Sequence, residues 1–197
     1  MRSGCGAVAV ALFGAQLAAC TSMPPPPIPA AGGSGTASGV VVREDLSGRF
    51  IALIGPKVQF DPPFLGTSDT NFSCLRSFLD RQTGKTAHQL YVTASYDGNH
   101  DWTAAHDGAG QALVFIPMSR FKIACDAKNN CSYAEEFAAK FPESELSNHP
   151  NGFAVTFTDA GGNMQTLPVT AGQVAAQLAA LAEIQKPPRP PPAAAAR

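Results

Sequence analysis

Apolar and polar positions alternate over much of the chain between residues 40 and 170, which predicts a protein built mainly from strands. "VVVREDLSGRFIALIG" is rich in Val and Ile and is broken at Leu46, Ser47 and Gly48, so it reads as one or two β segments. "HQLYVTASYDG" alternates as a further strand, and "DWTAAHDGAGQALVFI" predicts a hairpin turning at Asp107 and Gly108. The run "ALVFIPM" is continuously apolar, as in a strand covered on both faces, and Pro117 marks a bulge or an edge. "SRFKIAC" extends it, with Phe121 and Ile123 on one face. In "SYAEEFAAKF" the alternation of Tyr133, Glu135 and Phe137 competes with a helical spacing of Tyr133, Phe137 and Phe141, and strand is preferred for the first half. The plainest hairpin is "GFAVTFTDAGGNMQTLPVT", which places Phe153, Val155 and Phe157 on one face around the turn "DAGG".

Two segments carry the helical period instead. In "TNFSCLRSFLDRQTG" Phe72, Leu75 and Leu79 recur at i, i+3 and i+7, Phe78 widens the stripe, Asp69 or Thr70 can cap, and Gly84 follows as a stop. That predicts a helix of about three turns. The second begins at Thr170, which forms a capping box with Gln173, and continues as a stripe of Val174, Leu178, Leu181 and Ile184. The order helix, antiparallel strands, helix predicts an α+β domain, with an antiparallel meandering sheet and two helices packed on one face.

The ends are of different composition. "MRSGCGAVAVALFGAQLAAC" places one Arg before an uncharged, mostly apolar run that closes in small residues, the layout of a secretory signal peptide. The run is shorter than the roughly 20 apolar residues a membrane-spanning helix needs. Its end, Leu17, Ala18, Ala19 and Cys20, resembles the lipobox of bacterial lipoproteins. That resemblance implies cleavage before Cys20, acylation of Cys20 by chains such as palmitate, and, with Thr21 next, sorting to the outer membrane with the domain facing the periplasm. It covers the first twenty residues and concerns only where the chain goes. An ordinary signal peptide cut at an A-x-A-like site would keep the export and lose the anchor. The expected organisation is therefore a signal peptide over 1–19, a Pro/Gly/Ser-rich linker over 20–39, a single domain over 40–186 and a Pro/Ala-rich tail over 187–197.

Charge narrows the partners. The formal net charge is −1 and no Lys/Arg cluster exceeds isolated pairs, so nucleic acid, whose phosphates need a basic face, is not an expected partner. An oxidising envelope also changes the meaning of the cysteines. Cys125 and Cys131, at the two ends of "CDAKNNC", flank a turn that suits Asn129 and Asn130 and are expected to form a disulfide. A redox C-x-x-C has two intervening residues, and this pair has five. Cys74 is left as a buried free thiol.

No segment carries a complete catalytic signature. "TGKT" at residues 83–86 lacks the first glycine of a phosphate-binding loop and does not open a helix. Asp97, Asn99 and Asp101 begin like a calcium loop, which fails at Trp102 and Gly108. His100, Asp101, His106 and Asp107 are the one local cluster of metal-ligand types, and their spacing matches no standard zinc pattern. There is no G-x-S-x-G. Glu135 and Glu136 point to opposite faces of a strand, so they cannot act as a carboxylate pair, and one of them is expected to face water. Trp102 and Tyr96 could line a ligand groove. The expectation is a lipid-anchored envelope protein that binds or assembles with envelope proteins or peptidoglycan, without a cofactor. The competing expectation is an envelope hydrolase or metal-dependent enzyme using the His100 to Asp107 loop.

Overall fold

A computed structural model describes residues 34–35, 39–142 and 144–186. The expected signal peptide with Cys20, most of the linker and the tail over 187–197 lie outside the described residues. Among those described, eleven strands form one antiparallel sheet: β1 (Ser34–Gly35), β2 (Val41–Glu44), β3 (Phe50–Ile54), β4 (Val58–Gln59), β5 (Phe72–Asp80), β6 (Thr86–Asp97), β7 (Trp102–Asp107), β8 (Ala112–Cys125), β9 (Cys131–Phe141), β10 (Gly152–Asp159) and β11 (Met164–Thr170). A single-turn helix α1 (Glu145–Asn148) and the terminal helix α2 (Ala171–Ile184) complete the set. The strand order is β1-β2-β3-β5-β6-β9-β8-β7-β10-β11, with β4 paired to β5. Mostly antiparallel sheet with two helices is thus the architecture. The helix expected between residues 70 and 84 is instead strand β5.

The reason lies in the neighbours of β5. It is flanked by β3 and β4 on one side and β6 on the other, and side chains on both of its faces are covered. Leu75, Ser77 and Leu79 enter the interior shared with α2, while Phe72 and Cys74 pack with Tyr91 on the opposite face. A strand buried on both sides loses its period of two, and an accidental i, i+3, i+7 spacing is left to mislead. Cys74 is the buried free thiol that its environment predicts.

Helix α2 organises the rest. Thr170 caps it as expected: its Oγ1 accepts from Gln173 N at 3.2 Å, and the Gln173 side chain accepts from Thr170 N at 2.9 Å. The helix touches β3 and β5 from one end of the sheet order and β10 and β11 from the other, so the sheet curls until both ends reach the same helix. Val174 joins the main core of Leu75, Leu90, Val92, Phe137, Val155, Phe157 and Leu167, and Leu181 joins a smaller core with Val40, Ile51, Leu53 and Leu79. A buried polar chain fixes its rotation. Gln177 Nε2 donates to Ser77 Oγ at 2.8 Å and to Leu53 O at 3.1 Å, and Ser77 Oγ lies 2.7 Å from His88 Nδ1.

Strand β8 departs from the sequence reading. β7 pairs with it only at Ala105–Leu113 and His106–Ala112, and no described strand takes up its outer edge beyond that. Val114 is therefore 63 % exposed, where a strand covered on both faces was expected, and Phe121 on the extension of that run is 58 % exposed. Bulges between Pro117 and Ser119 and between Lys122 and Ala124, with Arg120 and Lys122 on the same strand, keep this free edge from templating another chain. The expected bulge at Pro117 is present. At the tip, Cys125 and Cys131 face each other across the ladder and are bridged, with Cα atoms 4.0 Å apart. Asp126 Oδ1 accepts from Lys128 N and Asn130 N, which shapes the turn independently of the bridge. Replacing both cysteines with serine should cost up to about 2 kcal/mol, the chain-entropy value for so short a loop. Denaturant unfolding of parent and variant without reductant checks this, and reductant should reduce the parent to the variant's midpoint.

Candidate functional site

At one end of the curled sheet the chain leaves a cleft of about 340 Å³. Its floor is the end of β6, Ala94 to Tyr96, with His100 and Trp102 from the loop into β7. One wall is the loop after β4, through Phe60, Asp61 and Asn71, and the other is the β10–β11 turn, through Asn163, Met164 and Gln165. The walls are tied together where Gln165 Nε2 donates to Asp61 Oδ2 at 3.3 Å. The loop wall is tied to the floor where Ser95 N donates to Asn71 Oδ1 at 2.7 Å.

Aromatic rings continue the cleft into the core. The ring of Tyr96 meets His100 edge-on with centroids 4.6 Å apart, and His100 stacks on Trp102 at 5.5 Å. Trp102 in turn touches Phe137, which meets Phe157 at 4.9 Å. Two of these rings are held by a polar partner at the rim. His100 Nδ1 lies 2.8 Å from Asp159 Oδ2, and the Tyr96 hydroxyl donates to Glu135. Arg120 donates to Asp101 Oδ1 at 3.0 Å and brings its Nε to 3.9 Å from Glu135. Asp101 adopts φ +57°, a left-handed conformation that Asp tolerates better than most residues, and its carbonyl accepts from Ala160 N at 2.9 Å. The floor loop and the β10–β11 turn are locked by that bond. One buried group is left over: Trp102 is 6 % exposed and its Nε1–H has no hydrogen-bond partner.

The carboxylates are tuned in opposite directions. Burial alone would raise Asp159, but the Asn163 amide, His100 and the N–H groups of Asn163 and Gly161 outweigh it and hold the carboxyl at about 2. Burial raises Glu135, and the Tyr96 hydroxyl and Arg120 only partly oppose it. Burial, joined by the same contact with Glu135, raises Tyr96. Glu135 and Glu136 do point to opposite faces, Glu135 beside Ala94 and Glu136 beside Thr93, and Glu135 is the buried one.

Of the residues singled out from the sequence, the fold brings His100, Trp102 and Tyr96 to one cleft, while the Asp101 side chain turns to Arg120 and does not line it. It carries His106 and Asp107 elsewhere: His106 pairs across to Thr156 and Ala112, and Asp107 Oδ1 accepts from Ala109 N and Gln111 N within its own turn. Among the described residues no group of three His, Cys, Asp or Glu side chains is placed to hold a metal ion. Asp97 is engaged by Ser132 Oγ, and the "TGKT" residues form the turn between β5 and β6. Phe60, Asn163 and Met164 have no signal in the sequence, because the loop after β4 and the β10–β11 hairpin meet the floor only in the fold, and Asp159 acts on the cleft through His100. Asp159 in "TDAGGN" reads as an ordinary turn residue, and it serves in that role as well.

Comparison with known proteins adds nothing to this site. No family model, no curated protein and no solved structure matches the chain.

Proposed function

We propose that the chain is an exported, lipid-anchored protein of the bacterial envelope, outer membrane by preference, whose domain works by binding a ligand or partner in the periplasm. The observation that carries the binding half is the cleft itself: Tyr96 set edge-on to His100 and His100 stacked on Trp102, with Tyr96 held by Glu135 and His100 by Asp159. Rigid aromatic rings with a few placed polar groups are what small-ligand sites are made of. The "LAAC" ending at Cys20 supports the anchor. A Pro-rich spacer of about 20 residues reaches about 60 Å when extended, enough for a tethered domain to search the space around its anchor. Envelope proteins and peptidoglycan are the partners within that reach. The hydrolase or metal-enzyme reading has lost half of its ligand set, since His106 and Asp107 lie apart from His100.

The test places a photo-cross-linking amino acid at position 164, on the cleft wall and 72 % exposed, and in a second strain at position 46, 97 % exposed and remote from the cleft. The expected result is an adduct from position 164 that is absent from position 46 and absent again when Cys20→Ser releases the chain from the membrane. Identical patterns from the two positions would remove the cleft from the function. An unchanged membrane fraction and no loss of palmitate labelling in Cys20→Ser would remove the anchor.

A further inference from the structure

We infer that the cleft takes an uncharged sugar ring, an inference that rests on the binding reading above and names its ligand class. Charge comes first. No Lys or Arg lines the cleft, His100 is committed to Asp159, and Asp61 stands on the wall, so phosphate, sulfate and carboxylate ligands meet no free Lys or Arg and one repelling charge. A cationic ligand is served poorly too. The buried carboxylate of Asp159 is committed to His100, Asn163 and Gly161, and Glu135 to Tyr96 and Arg120. Only Asp61 is left, and it is shared with Gln165.

Shape and polarity select among neutral ligands. Phe60, Tyr96, His100, Trp102 and Met164 offer apolar surface to a flat face of C–H groups. The rim opposite them is carboxylate and amide, from Asp61, Asn163 and Gln165, groups that can both accept from and donate to hydroxyls. A hydrocarbon would cover these carboxylate and amide groups and offer nothing in place of the water they hold, which costs free energy for each group covered. A sugar satisfies both requirements at once, because its ring carries C–H faces and its edge carries hydroxyls that can donate to and accept from the rim groups. A volume of about 340 Å³ stands at the small end of the range for ligand pockets, which suits one ring with its neighbours projecting into solvent.

Trp102 is the single Trp of the chain, so its emission in the full-length protein reports on this cleft alone. The experiment titrates the protein with chitotriose, maltotriose, choline and inorganic phosphate. The expected result is a saturable change in emission with at least one trisaccharide and none with choline or phosphate. Calorimetry on Trp102→Phe, which shrinks a ring that lines the cleft floor, should then show affinity about ten-fold weaker. Gln165→Ala, on the rim, gives a second reading should Trp102→Phe fail to fold, with the same expected direction. A response to choline or phosphate but to neither sugar overturns the ligand class and leaves the binding reading standing. Sugar binding that Trp102→Phe and Gln165→Ala both leave unchanged overturns the site. Silence toward all four probes, together with a site-specific adduct from position 164, also overturns the class. Silence together with no such adduct overturns the binding reading itself.

Discussion

Phe137→Ala should lower the free energy of unfolding by about 3–5 kcal/mol, the range for truncating a large buried aromatic side chain. Phe137 is 1 % exposed and sits in mid-strand on β9, the strand that joins β6 to β8. Its ring contacts Trp102, Phe115 and Phe157, so it connects the cleft floor to β8 and β10. Truncation removes a large apolar side chain and leaves a cavity that four strands of fixed register cannot close. A second consequence follows from Trp102 resting on that ring. In the variant the emission of Trp102 should change even in native conditions, and the cleft should lose its ligand affinity with it. Denaturant unfolding followed by circular dichroism and by Trp emission checks both. A loss below about 1 kcal/mol would mean that the interior relaxes around the missing ring and that the cleft floor does not depend on it.

Asp159→Ala should cost about 2–4 kcal/mol at neutral pH, and the cost should shrink in acid. The buried carboxylate accepts from Gly161 N at 2.9 Å, Asn163 N at 2.8 Å and the Asn163 side chain at 2.9 Å, besides holding His100. It closes the β10–β11 turn and orients one ring of the cleft at the same time. The direction with pH follows from its depressed folded value. Its carboxyl titrates at about 2 in the fold against 3.8 ordinarily, so the ionised form is the one the fold prefers. Its contribution is complete above about pH 5 and is lost as pH falls through 3.8 toward 2, a change of about 2 kcal/mol. Unfolding curves for parent and variant at pH 7 and at pH 2.5 should therefore converge in acid. Glu135, raised by burial, acts with the opposite sign and favours the fold at low pH, which leaves the parent less acid-sensitive than Asp159 alone would make it. Equal differences between parent and variant at both pH values would show that Asp159 acts only as a neutral turn former.

Much of the local structure was legible along the chain. The hairpin at residues 152–170, the turn at Asp107 and Gly108, the bulge at Pro117, the capped terminal helix and the bridge between Cys125 and Cys131 all rest on short-range rules: alternation, turn chemistry, capping and spacing. These are properties of neighbours in sequence, so the sequence alone determined them. Strand β5 was decided by tertiary structure, because its pairing with β3, β4 and β6 buries both faces and erases the period that would have announced it. So was the exposure of β8, whose apolar run finds no cover once β7 turns away after two pairs. The cleft floor of Tyr96, His100 and Trp102 lies within seven residues of sequence and was legible there, but the walls and the partners that brace it belong to this second class. His100 meets Asp159 59 positions away, Tyr96 meets Glu135 39 positions away, and Gln165 meets Asp61 104 positions away. Such pairings depend on how far a sheet curls around one helix, and curvature is set by the packing of the whole interior, which no local pattern of polar and apolar residues encodes.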